Sequence, residues 1–163
     1  MLYRQELTDP ALMRIDLNIV SPTHGEIERM GVNITYSEAP DISAQDLADL
    51  FRSSGIRRPI DDLPRLEKML RHANLVIGAY HNGRLVGVAR ALTDFSYCCY
   101  LSDLAVALEH QHHGIGRTLI EHIRARIGEQ SMLLLLSASE AMDYYPAIGF
   151  EEVGNGWIIK RTS

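Results

Sequence analysis

The stretch Gln111-His112-His113-Gly114-Ile115-Gly116-Arg117 decides the reading of this chain. Before it runs an apolar strand, Leu101-Ser102-Asp103-Leu104-Ala105-Val106. After it, Ile115, Leu119, Ile123 and Ile127 recur at every fourth position, with Ile120 beside them. On a helix of about 3.6 residues per turn that spacing draws one apolar stripe. Arg117, Glu121, Arg124 and Arg126 fall largely off the stripe, and Gly128 is a natural stop. Gly114 and Gly116 let a ligand approach the backbone where no Cβ stands in the way. The first N–H groups of the helix lack intrahelical acceptors and point at that ligand, with the positive end of the helix dipole behind them. Such an entrance suits a phosphate.

Other phosphate motifs fail on context. A Walker-type loop needs a lysine and a Ser/Thr after its last glycine, and Arg117 follows Gly116. A dinucleotide fingerprint needs a third glycine that is absent. His110, His112 and His113 cluster in the loop, but no cysteine or further histidine sits at ligand spacing. They read as solvated loop histidines able to touch a phosphate, and no metal is expected.

A strand, a four-residue gap and Gln-x-x-Gly-x-Gly opening a helix resemble the acyl-coenzyme A site of the GNAT N-acetyltransferases, whose signature is Gln/Arg-x-x-Gly-x-Gly/Ala. A second block, Ala141-Met142-Asp143-Tyr144-Tyr145-Pro146-Ala147-Ile148-Gly149-Phe150, is similar to that family's Ala-x-x-(Phe/Tyr)-Tyr-x-x-x-Gly-Phe. Both blocks stand in the family order and at the family distance, and the resemblance covers roughly residues 32–161. It implies an α/β fold with a mixed, splayed central sheet flanked by helices, and acetyl-CoA as cosubstrate. Ala138 stands where many family members carry an asparagine after the fifth strand.

Composition agrees with an ordinary soluble enzyme domain. The chain has 163 residues, of which 46% are hydrophobic, enough for a core of its own. No apolar run approaches the ~18–20 residues that cross a bilayer, and the first residues lack a basic-then-apolar signal pattern. Sixteen basic side chains against 21 acidic ones give a net charge of -5, which disfavours nucleic acid as a partner and mildly favours a cationic amine. Cys98 and Cys99 are adjacent and cannot bridge without severe strain, so both are expected reduced, in a cytoplasmic protein.

Residues 1–31 stand apart as an extension that packs on the domain or on a second copy in a homodimer; residues 32–163 form the acetyltransferase domain. Val32-Asn33-Ile34-Thr35-Tyr36 alternates as a strand should. Ser43-Ala44-Gln45-Asp46 resembles a capping box before a helix bearing Leu47, Leu50 and Phe51, which breaks near Ser53-Ser54-Gly55. A second helix spans about residues 62–72. Leu75-Val76-Ile77-Gly78-Ala79-Tyr80, Asn82-Gly83 and Leu85-Val86-Gly87-Val88-Ala89 make a hairpin signal. The strand ending at Val106, its helix and the apolar residues 132–136 form a parallel strand-helix-strand unit. A last helix over about residues 139–148 and two short strands, near Phe150–Val153 and Trp157–Ile159, complete the predicted order.

The resemblance also assigns roles. The loop residues Gln111, His112, His113, Gly114, Ile115, Gly116 and Arg117 would hold the pyrophosphate. The strand edge Leu104-Ala105-Val106 would pair with the amides of the pantetheine arm and offer an N–H to the oxyanion. Tyr145 would protonate the leaving thiolate: a thiol titrates near ~8.5 and a tyrosine near ~10, so the phenol is protonated at neutral pH. Tyr144, about 100° away around a helix, is expected to pack inward. Asp94, Asp103 and Glu140 are nearby carboxylates, and none is assigned as general base. Strand alternation puts Asp103 opposite Ser102 unless a bulge resets the phase. Arg57, Arg58, Tyr100 and Ser102 are candidate acceptor contacts, the two arginines favouring a primary amine that also bears an anionic group. The expected reaction is acetyl transfer to a primary amine, on a small molecule or a protein, by direct attack in a ternary complex. The rival is a non-catalytic acyl-CoA-binding sensor, which would leave Tyr145 without a role.

Overall fold

Alternation and turn chemistry set the sheet in the computed structural model, which describes residues 33–38 and 41–162. Five strands stand in sequence order: β1 (Ile34–Glu38), β2 (Leu75–His81), β3 (Arg84–Thr93), β4 (Cys98–Val106) and β5 (Met132–Leu135). The first four run antiparallel to their neighbours. Asn82 (φ 51) and Gly83 (φ 78) turn β2 into β3 with two left-handed residues, the geometry a two-residue hairpin with native twist requires. β5 returns parallel to β4, because helix α3 (Ile115–Ile127) carries the chain back across the sheet. The first strand begins two residues later than its alternation predicts, and Val32 lies outside the described residues.

Helices cover both faces. Ser43 caps helix α1 (Ala44–Ser54) by accepting from the Asp46 N–H at 3.0 Å, and Gly55 (φ 77) ends it. Asp62 caps α2 (Leu63–His72) in the same way, accepting from the Arg65 N–H. Leu47, Leu50, Phe51 and Leu66 from these two helices bury against Val88 and Ala105. On the opposite face the whole stripe of α3, Ile115, Leu119, Ile120, Ile123 and Ile127, buries against Leu75, Ile77, Ala79, Ala89 and Leu101. A Cβ on Gly87 would lie 3.2 Å from Ile115 Cγ2 and from Leu119 Cδ1, so α3 rests directly on the backbone of β3 there. No helix among the described residues is long and apolar enough to cross a membrane.

The C-terminal elements differ from the sequence expectation. In place of one helix over 139–148 there is a 3-10 turn, Ser139–Ala141, and a separate four-residue helix α4, Tyr144–Ala147. Pro146 is the cause. It has no N–H to give the Met142 carbonyl, and its ring clashes there, so it is accommodated only within the first turn of a newly started helix. Gly149 (φ 92) stops that helix at once. The two short strands expected after Phe150 pair with nothing among the described residues. Residues 150–162 carry no strand, and Val153, Trp157, Ile158 and Ile159 stand exposed. Extended propensity makes a strand only where an edge supplies the other half of the ladder.

Leu119 is fully buried at the centre of the α3 contact. Leu119→Ala should lower unfolding free energy by about 2–5 kcal/mol, read as a shift in urea midpoint with unchanged m-value.

Candidate active site

One extra residue in β4 builds the site. Arg90 opposes Asp103 and Ala91 opposes Leu101, so Ser102 is inserted as a β-bulge. Upstream, Cys99 and Leu101 face α3; downstream, Leu104 and Val106 take that face and Ala105 turns to α1 and α2. Ser102 and Asp103 consequently share one face, and Arg90 reaches both, donating from Nη2 to Ser102 Oγ at 2.8 Å and from Nε to Asp103 Oδ2 at 2.5 Å.

The same point is where the sheet opens. β5 pairs with β4 only from Cys98↔Met132 to Leu101↔Leu135. Beyond Leu101 no strand among the described residues lies on that side of β4. The Ala107 N–H donates to Val86 O at 2.9 Å, which fixes the phase of the β3 ladder. By antiparallel alternation, Asp103 and Ala105 bond to β3 while the N–H groups of Leu104 and Val106 face the gap. The Val106 carbonyl, also on that side, accepts from Gln111 Nε2 at 2.9 Å.

At the end of this edge lies the glycine loop. His112 (φ 64) and Gly114 (φ 82) take left-handed backbone and make it tight. Hydrogen bonding stops at the Gln111 N–H, which donates to Leu108 O, and resumes at the Thr118 N–H, which donates to Gly114 O. Among the described residues, the N–H groups from 112 to 117 have no acceptor, and Gly114 caps α3 without a side chain. A Cβ on Gly116 would lie 3.1 Å from Tyr144 Oη and 3.8 Å from Val106 Cγ2. Loop, edge and tyrosine hydroxyl thus meet in one cradle.

Several expected site residues behave differently. Gln111 aims its amide at backbone, at Val106 O and at Ser54 O (3.4 Å), so its side chain braces the loop rather than facing a phosphate. Ile115 is buried in the core and offers only its N–H. His112 and His113 are exposed, and Arg117 pairs with Glu121 at 3.1 Å. Arg58 is not a free cation. It donates from Nε to Asp103 Oδ1 at 2.5 Å and from Nη2 to Ser102 O at 2.8 Å, a partnership of residues 45 positions apart that no local pattern announces. Arg57 is exposed, and Tyr100 lies beside Leu92 and Leu134 in the sheet register, partly exposed.

The tyrosines exchange places relative to expectation. Tyr145 packs into the core cluster with its ring edge-on to Phe150, whereas Tyr144 turns toward Gly116. The break at Pro146 leaves too little helix to impose the rotation a continuous helix implies. Burial pushes both hydroxyls up from the ordinary tyrosine value, with the Arg117 charge opposing this at Tyr144. Both are protonated at neutral pH. Neither Asp103 nor Asp94 is available as a base. Asp103 is fully buried between two arginines. Asp94 accepts from the N–H groups of Tyr97, Cys98 and Ser96, which hold its carboxyl well below the usual range.

Comparison with known proteins agrees with this arrangement. The acetyltransferase (GNAT) domain family matches residues 39–158. The chain is 26% identical over 131 residues to TAP2 of Glycine max, a probable acetyltransferase, covering 72% of this chain and 52% of that relative. It therefore spans about half the length of that relative. Protein SA2161 of meticillin-resistant Staphylococcus aureus, a probable acetyltransferase, superimposes with a TM-score of 0.66 at 25% identity, over 80% of this chain and 99% of that one. Aminoglycoside N-acetyltransferase AAC(6')-Iy, solved with CoA, shares the fold with a TM-score of 0.61 at 16% identity, over 83% of this chain and 99% of its own.

Behind the loop, His81 Nδ1 and His110 Nε2 lie 3.0 Å apart, and His110 Nδ1 is buried without a partner. Burial is the main cause that lowers the His110 pKa from 6.5, with His81 and Arg84 adding to it and Glu109 opposing. The unfolded chain therefore binds a proton that the folded one resists. Stability from this group is present above the unfolded value and is lost as pH falls toward the folded one. Denaturant midpoints between pH 7.5 and 5 should fall for the wild type and fall less for His110→Gln. His122, also shifted down by burial, should keep the variant from becoming flat.

Proposed function

The chain belongs to the GNAT acetyltransferase family, and from that premise we propose that it moves the acetyl group of acetyl-CoA to a primary amine by direct attack in a ternary complex. The observation that carries this is the run of unpaired N–H groups from 112 to 117, continuous with the open edge at Leu104 and Val106. Phosphates would sit on those amides, where the α3 dipole adds to them. The pantetheine amides would pair with Leu104 and Val106 as a further strand would. The CoA complex of AAC(6')-Iy, a protein of the same fold named for an amine acceptor, supports that cosubstrate and acceptor class.

Acetyl-CoA supplies an activated acyl group already joined to a good leaving thiolate. What remains for the chain is to orient it, to steady negative charge and to move protons. An edge N–H, that of Leu104 or Val106, would steady the carbonyl oxygen as it gains charge. Tyr145, the motif tyrosine, donates the proton to the thiolate. Tyr144, its hydroxyl beside Gly116, donates to the cosubstrate along the cradle. That placement also supports a second reading, in which Tyr144 is the acid and Tyr145 a packing residue. With Asp94 and Asp103 engaged, an amine that loses its proton to solvent needs no carboxylate from either.

Wild-type protein given acetyl-CoA and a panel of amines should release free thiol, and Gly116→Asp should bind CoA at least tenfold more weakly by calorimetry. The aspartate places charge where phosphate would sit, while a carboxylate in the first turn favours the helix, so circular dichroism should be unchanged. Unaltered affinity would remove the loop from the site. Thiol release by no amine, with CoA still bound, would favour the sensor reading.

Tyr145→Phe should lower kcat by about 10²–10⁴-fold with the CoA dissociation constant nearly unchanged. Tyr144→Phe should weaken CoA binding and spare kcat. The opposite pattern would transfer the acid role to Tyr144.

A further inference from the structure

The α1–α2 connection, residues 55–62, lies over the downstream half of β4. Ile56 and Ile60 pack on the core beneath α1 and α2, and a hydrogen bond from the Ile60 N–H to Arg58 O tightens the turn. Apolar contacts of this kind fix the height of a loop better than its position along the strand. Directional contact with the sheet comes from Arg58. Its guanidinium donates to Asp103 Oδ1, to Ser102 O and, back within its own segment, to Arg57 O at 2.8 Å.

The two acceptors on β4 each need a donor for a separate reason. The bulge takes Ser102 out of regular pairing, so its carbonyl depends on a partner from outside the sheet. Asp103 has no exposed side-chain surface, and a buried carboxylate with only one of its two oxygens paired is costly. Arg90 binds the other oxygen and is itself tied to Met69 O in α2 at 3.3 Å. The planar fork of Arg58 reaches carboxylate and carbonyl together, which a lysine ammonium cannot do with the same geometry. Asp103 and Ser102 immediately precede Leu104, whose N–H faces the open edge.

We propose that Arg58 is a positioning residue: by bridging Asp103 and the Ser102 carbonyl it locks the 55–62 connection onto the β4 bulge and sets where the acceptor amine meets the open edge. This rests on the acetyltransferase reading and departs from the expectation that Arg58 attracts an anion on the acceptor. All three of its nitrogens are already engaged, by Asp103, the Ser102 carbonyl and the Arg57 carbonyl. The lock therefore acts on acceptors of any charge.

The test uses Arg58→Gln and Arg58→Lys in the full chain, with two acceptor amines of matched length, one bearing a carboxylate and one uncharged. Arg58→Gln should raise the Michaelis constant for both amines alike, by about tenfold, with kcat and CoA affinity within about twofold. Arg58→Lys, keeping the charge but not the fork, should recover part of the loss. Hydrogen exchange should quicken at the bonded amides within 55–62 and at Asp103, whose N–H bonds to β3, while β1 and β2 stay as they were. A rise confined to the carboxylate-bearing amine would overturn the proposal, since Arg58 would then be touching substrate. Unchanged exchange over 55–62 in both variants would overturn it as well. If wild-type protein turns over no amine, the acetyltransferase reading fails, and exchange alone decides whether Arg58 holds the connection. Should Arg58→Gln not fold, Arg58→Lys carries the same comparison.

Discussion

Asp103, held between Arg58 and Arg90 at the inserted Ser102, ties the α1–α2 connection to β3 and to the bulge of β4. The strand that reaches it has faced α3 with alternate residues; the strand that leaves it presents the other set. Both sheet faces receive apolar side chains as a result, and each finds its own helical layer. A carboxylate placed where no water reaches it is expensive, and two guanidinium groups with further hydrogen bonds offset that cost only in a fixed geometry. The bulge is therefore specified twice, once by its register and once by the ion pairs that fit only that register.

The opening of the sheet follows from the same place. β5 contributes four residues and ends level with Leu101, so among the described residues the N–H groups of Leu104 and Val106 have no strand partner. In most sheets an unpaired inner edge is a liability. Here it runs directly into the unpaired amides of the loop, and the loop is held to it by Gln111 through Val106 O. Backbone groups line most of the cradle.

Features written in short stretches were legible from the amino-acid order. The α3 stripe, the Ser43 cap, the Asn82-Gly83 turn and the glycine stops at 55 and 128 each depend on a few neighbouring residues, and each stands as read. The loop and edge residues are likewise singled out by their motif alone. What escaped depended on distance along the chain or on competition within it. Arg58 resembles any solvated loop arginine until Asp103 arrives from far downstream. The phase of Asp103 needed the bulge, which leaves no composition signal. Pro146 was visible as a disturbance, yet only the folded chain shows that the helix restarts after it and turns Tyr144, rather than Tyr145, toward Gly116. The final strands had the right residues and no partner.

Trp157, the only tryptophan in the sequence, lies in that unpaired terminal stretch and is 98% exposed. Its indole is surrounded by water in the folded chain as it would be in the unfolded one. Tryptophan emission from this protein therefore carries almost no signal from the helices and sheet, whose melting is better followed by the amide backbone. The same isolation makes the fluorophore a clean reporter for its own neighbourhood: a blue shift on mixing with any ligand or macromolecule would mean that residues near 157 have left water, independent of what happens at the loop.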